Sequence, residues 1–387
     1  KGYQIKPSES GTPIYQTVDL EIKWEFFAKE CLKKGATQKS LDHFLKIRPL
    51  ELQKSIGCKE ADFVFYPSVP MTIGQTPWVI EIEDTTTLFF PFMENGKVKN
   101  SEEIINSDFY PIIKHLITSD TCKGVITHMK STAESVPILF QQKELSKKVF
   151  HIPVGISAPN WELVKRAKNA DYSSPEFLIS NSWHQAPTNL YLRGVLDSIK
   201  AFAEIKQNYP NAKLTIRGKL PDDFPVEYKN IISDLKVVVL DRFLLKQEWI
   251  DLKMRTNFLL IPSARIHIVS MLEAMAYGMI LVTSDGWGID EYVENKKTGI
   301  IVNGRRKVSG MNWKFGVLEE DYSFMYKSDL NIIKEITKEV LYYCNNPKEL
   351  SRLMDNARND VDKKYTIERC NMSLSTIFKA VNTVKDN

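Results

Sequence analysis

Short apolar runs recur along the chain, each closed off by polar, glycine or proline residues, with longer amphipathic stretches between them. In the first half the runs fall at 61–66 (ADFVFY), 78–82 (WVIEI), 123–127 (KGVIT) and 149–153 (VFHIP). In the second half they fall at 177–180, 213–217, 236–240, 257–261, 279–283 and 299–302. Runs of this length without polar alternation predict strands buried on both faces. Helical spacing is expected over 18–35, 102–118, 190–208, 246–254, 270–277, 328–345, 347–362 and 366–383. Strands alternating with helices predict βαβ units and parallel sheets.

The rhythm breaks twice. Residues 154–176 are polar and read as an interdomain linker, and 303–327 read as an insertion loop that caps a cleft or decorates the surface. The reading is therefore α/β with two Rossmann-like, doubly wound domains facing a cleft. The expected limits are 1–155, 156–365 and a last helix, 366–387, crossing back to the first domain. The apolar run Leu88–Met93 is expected in the N-terminal core, with an acceptor- or membrane-facing loop as the alternative.

The charge count adds little to this picture. Fifty-two basic and 48 acidic residues leave +4, without a basic stripe, so a nucleic-acid partner is not expected. The five cysteines are widely spaced and form no metal-ligand pattern, which predicts reduced thiols and no metal site. No apolar run is long enough to predict a membrane span. A cytoplasmic protein is expected, with peripheral membrane attachment as a variant.

The chemistry concentrates in 257–302. A strand ends at Pro262-Ser263, and a helix is expected from near Ser270, carrying Glu273 in its first turn. The opening amides of a helix lack intrahelical partners and sit at the positive end of its dipole. The amides near Val269, Ser270 and Met271 are thus candidates to hold a diphosphate without a metal. Glu273 is placed to accept hydrogen bonds from two vicinal hydroxyls, as a ribose offers. The plain alternative is an ordinary helix glutamate.

This segment, PSARIHIVSMLEAMAYG followed by a glycine-bearing loop and Glu291, resembles the retaining GT-B glycosyltransferases of family 4 (glycosyl transferases group 1). The resemblance implies transfer of a sugar from a nucleotide-diphosphate donor, with UDP sugars favoured over GDP sugars and no permanently bound cofactor. It implies a glycan, lipid-linked or protein acceptor, retention of anomeric configuration and a hexosyltransferase type of activity. Glu273 matches the second glutamate of the family's E-x7-E motif, which contacts the ribose. Arg265 stands where the first, the donor-sugar glutamate, belongs, and His267 stands where phenylalanine is frequent. That change predicts lost activity or an unusual donor such as an acidic sugar. Arg193-Gly194 stands for the family's Lys-Gly phosphate segment, and Gly218 with Lys219 or Arg217 compensates for an arginine missing from 181–184. Where the family often ends a strand in histidine this chain has Glu83-Asp84, which makes Glu83 a candidate catalytic or acceptor-binding carboxylate. A weakened GT-B protein serving as a binding or regulatory subunit, or a sugar-nucleotide epimerase, are the alternatives.

Overall fold

A computed structural model describes residues 17–47, 61–67, 72–74, 76–90, 92, 98–168, 172–182 and 185–382. Helices α1 (Thr17–Lys33) and α2 (Gln38–Ile47) lead into a parallel sheet. Its strands are β1 (Val64–Pro67), β2 (Trp78–Ile82), β3 (Cys122–Thr127) and β4 (Val149–His151), in the order β1-β2-β3-β4. Helix α3 (Tyr110–Thr118) precedes β3, and α4 (Lys130–Leu139) follows it. Leu88 and Phe89 are fully buried in this core, and Phe92 stacks on Phe109 with ring centroids 3.9 Å apart. The described residues of the run, Leu88 to Phe90 and Phe92, belong to or pack against the core, as their apolarity predicts.

The second sheet is built from β5 (Glu176–Ser180), β6 (Lys213–Arg217), β7 (Val238–Leu240), β8 (Phe258–Ile261), β9 (Ile280–Ser284) and β10 (Ile300–Val302). All pairings in it are parallel, in the order β10-β9-β8-β5-β6-β7. Every residue of β8 and β9 is buried, which explains the apolar runs FLLI and ILV; the buried Thr283 and Ser284 hydroxyls donate to the Ile261 and Ser263 carbonyls. The strand order reverses between β5 and β8. Their carboxyl ends therefore splay apart into a crevice, the usual ligand site of an open α/β sheet.

Helix α5 (Val195–Asn208) packs beside this crevice and α6 (Lys246–Arg255) leads into β8, while α7 (Ile268–Ala276) leaves β8. The expected helix at 190–208 is broken at Gly194, whose φ is +76°. A Cβ there would lie 2.4 Å from the Pro262 carbonyl oxygen, so α5 approaches the end of β8 only through a glycine. Gly194→Ala is expected to cost ~2–4 kcal/mol, from left-handed backbone strain plus overpacking, read as a lowered denaturant midpoint.

After α8 (Leu330–Asn345) and α9 (Pro347–Lys364), helix α10 (Ile367–Asn382) lies on the first sheet. Its Leu374, Ile377 and Val381 pack with Val79, Ile126 and Ile152. The chain crosses between domains twice at one place, where Ile156 bridges Thr366 and the Ile156 amide donates to the Tyr365 carbonyl at 2.8 Å.

The 303–327 segment differs from the expected surface loop. It forms an antiparallel hairpin, β11 (Ser309–Asn312) and β12 (Val317–Glu320). Val317 sits in the N-terminal core, Thr85 donates to the Gly316 carbonyl at 2.9 Å, and Glu319 accepts from Ser101. The hairpin bolts the C-terminal domain to the N-terminal one.

Candidate active site

At the carboxyl end of β5, two guanidinium groups meet. Arg193 Nη1 donates to the Ser180 carbonyl at 3.0 Å and reaches Ser270 Oγ at 3.5 Å, while Nη2 donates to Gln185 Oε1 at 3.0 Å. Arg217 Nη1 donates to the Asn181 carbonyl at 2.9 Å and to Ser180 Oγ at 3.4 Å. Its guanidinium lies over the Trp249 ring, 4.4 Å from the centroid. Among the described residues neither arginine has a carboxylate in ion-pair contact, although the charge of Glu273 acts on Arg217 from a greater distance. Arg193 is 4% exposed, its Nε has no protein acceptor, and burial together with Arg217 pulls its pKa down to about 10. A buried cation held beside a second cation is costly unless an anion joins them.

The anion-holding helix end lies beside this pair. Helix α7 starts at Ile268 rather than Ser270, and its first internal bond runs from the Met271 amide to the His267 carbonyl at 3.0 Å. Two expectations are thereby corrected. Met271 spends its amide on the helix and buries its side chain completely, so the amides ahead of the ladder are those of Ile268, Val269 and Ser270. Glu273 sits in the second turn rather than the first. It is fixed there by Lys253, whose buried Nζ donates to Glu273 Oε1 at 2.8 Å and lies 4.0 Å from the centre of the Tyr277 ring. Lys253 gave no sequence signal, because a lysine near the end of a polar helix reads as solvated.

Gly218 ends β6 with φ +137°, and a Cβ there would press on the Asn181 side chain at 3.1 Å. Lys219 points elsewhere: its ammonium is about half exposed and pairs with Asp222 at 3.3 Å. Arg217 is thus the basic residue of this segment that reaches the crevice.

Arg265 is the largest departure from expectation. Its guanidinium is committed to protein carboxylates: Nη2 to Asp84 Oδ2 at 2.7 Å and to Glu83 Oε1 at 3.2 Å, and Nη1 to Glu320 at 3.3 Å. Asp84 and Glu320 are buried, and Glu320 also accepts from Tyr322 at 2.7 Å and Ser309 at 3.0 Å. Burial raises the Glu320 pKa against the pull of Arg265. Arg265 therefore joins three elements: the end of β2, the end of β8 and the hairpin. Glu83 is the one member that stays open to the cleft, with its side chain 53% exposed.

His267 is the N-cap residue of α7; its Nε2 is enclosed and without a partner among the described residues, while the residue as a whole is half-buried. Burial, then Arg193 and Arg265, hold its pKa well below the ordinary value, so the ring is neutral. The unfolded chain takes up a proton below about pH 6.5 that the folded ring refuses. Stability from this site is full above that pH and declines as pH falls toward the depressed value. His267→Phe is expected to flatten that acid-side decline in melting temperature between about pH 6.5 and 5.

Among the described residues, a reversal-point crevice with two guanidiniums outside ion-pair reach of any carboxylate, an open helix start and a fixed carboxylate one turn further form the candidate site of the second of two α/β domains. Residues 190–339 match the model of the family glycosyl transferases group 1. No curated protein sequence matches the chain. Among solved structures, Anabaena HepE in complex with UDP and glucose is 13% identical over 87% of this chain and 83% of its own, with TM-score 0.56. Sucrose-phosphate synthase from Thermosynechococcus elongatus is 14% identical over 86% and 77%, with TM-score 0.54. The lipopolysaccharide-biosynthesis glycosyltransferase WaaG is 15% identical over 87% and 81%, with TM-score 0.53. At these identities the likeness is one of fold. The chain has the GT-B fold, and the match to the glycosyl transferases group 1 model falls within its C-terminal domain. No helix among the described residues is long and apolar enough to cross a membrane.

Proposed function

We propose that this chain is a glycosyltransferase that moves a hexose from UDP to a hydroxyl acceptor, with retention and without a metal. One observation carries the reading: Arg193 and Arg217 converge on Ser180 with no carboxylate in ion-pair contact among the described residues, at the open start of α7. A diphosphate completes their charge and accepts from the Val269 and Ser270 amides. Glu273, steadied by Lys253, leaves its second oxygen for the ribose hydroxyls. A UDP donor is favoured over GDP because HepE, of the same fold, is described with UDP and with UDP-glucose.

In the reaction the bond from the anomeric carbon to the β-phosphate oxygen breaks and one to the acceptor oxygen forms on the same face. The leaving phosphate takes the acceptor proton. The two arginines and the helix amides hold the charge that develops on that phosphate. Glu83, held by Arg265 and open to the cleft, accepts a hydrogen bond from a sugar hydroxyl.

Ribose recognition is tested with Glu273→Gln, which keeps the shape and drops the charge. Wild type should prefer UDP to 2′-deoxy-UDP by about 10-fold or more, a hydrogen bond to a charged group being worth ~1.5–3 kcal/mol. The variant should lose that preference. A preference unchanged in Glu273→Gln sinks the ribose role.

A second reading, a nucleotide-binding subunit without turnover, is favoured by the commitment of Arg265 to protein carboxylates. A panel of UDP, GDP, ADP and CMP sugars separates the two. Slow hydrolysis of one donor supports the enzyme, and binding without hydrolysis or transfer supports the subunit.

A further inference from the structure

The hairpin that bolts the domains together also builds a cavity of about 660 Å³ along the domain seam. Its volume lies within the range of small-molecule sites. Trp313, at the hairpin turn, lines it and is 48% exposed. Trp287 lines it too, and also stacks on Arg265, with the guanidinium carbon 4.9 Å from the ring centroid. The cavity is therefore one side chain away from the Arg265–Glu83 contact at the presumed sugar end of the crevice.

Two buried polar atoms on its wall have no partner among the described residues, Trp287 Nε1 and Ser131 Oγ, and Trp287 as a whole is 7% exposed. The charged lining is Glu134, Asp285, Asp290 and Glu291 against Lys130 and Arg306. Four carboxylates less two cations leave −2, which disfavours phosphates and acidic ligands. Glu291 and Asp285 are already engaged: Glu291 accepts the Ser131 amide at 3.0 Å, and Asp285 accepts the Gly304 amide at 2.8 Å. Asp290 and Glu134 remain exposed. Among the lining residues Met311 is the one large aliphatic side chain, so a lipid tail finds little to bury against. The exposed indole face of Trp313, with the exposed carboxylate of Asp290 beside it, suits a flat, polyhydroxylated and uncharged ligand.

We infer that this cavity binds the sugar residues of a neutral oligosaccharide acceptor, with Trp313 as the stacking platform contributed by the hairpin. The inference rests on the transferase reading above. It names the acceptor class and the surface that selects it.

The test is direct binding, free of turnover. Neutral di- to tetrasaccharides of glucose, N-acetylglucosamine, mannose and galactose, plus one uronic-acid oligomer, are titrated against the full chain by saturation-transfer NMR and calorimetry. Wild type is compared with Trp313→Ala, and a thermal melt checks the fold. The expected result is that one neutral series binds and loses at least 10-fold in affinity in Trp313→Ala. Equal binding to both proteins overturns the site, and tighter binding of the uronic-acid oligomer overturns the neutral class. Absence of binding by every oligosaccharide, in a protein that still binds UDP, overturns the inference and leaves the transferase reading standing. Failure to bind UDP as well identifies the failure of that reading instead.

Discussion

Arg265→Ala is expected to destabilise the protein by ~3–5 kcal/mol, because it strips the shared counter-ion from carboxylates that cannot reach water. Asp84 is fully buried and Glu320 nearly so, and Arg265 touches both. The loss should be larger at neutral than at acid pH. Without the guanidinium nothing opposes the burial that raises the Glu320 pKa, so the variant regains stability as pH falls and that carboxyl protonates. Arg265→Glu, which restores the residue usual in the family, should be worse still, since it sets a fourth carboxylate beside Glu83, Asp84 and Glu320. Chemical denaturation at two pH values checks both statements. A loss below about 1 kcal/mol in Arg265→Ala at neutral pH contradicts the account, because that is the scale of an exposed pair.

Arg193→Met is expected to separate binding from stability. UDP affinity should fall about 10- to 100-fold, the cost of one or two charge-assisted hydrogen bonds at ~1.5–3 kcal/mol. The ligand-free melting temperature should not fall, since the variant removes a buried cation that has no carboxylate partner among the described residues. A structural arginine would do the reverse, losing stability and leaving nucleotide affinity alone. The pairing of lost function with kept stability is the signature of a strained binding group.

The C-terminal domain was legible in the sequence because its strands hold unbroken apolar runs such as FLLI and MILV, closed by Pro262 and by Thr283-Ser284. Strand order was not, since pairing β5 with β8 joins segments about eighty residues apart with no local signal. Helix α7 begins two residues early because its N-cap, His267, makes no capping hydrogen bond and the first turn reads Ile-Val. The hairpin stayed hidden because β12 is four residues, two of them glutamates, and its apolar Val317 packs on the other domain. The interdomain ion cluster had a readable trace. A motif glutamate became Arg265 while an expected histidine became Glu83-Asp84, two departures of opposite charge. Each was visible alone, and their contact across 181 positions was not.

The account rests on a diphosphate held at the reversal point, and calorimetric titration of UDP and UMP into the full chain tests it most directly. UDP should bind at one site and at least 10-fold tighter than UMP, with that preference lost in Arg193→Met. Equal affinity for UDP and UMP, or no binding of either, would contradict it.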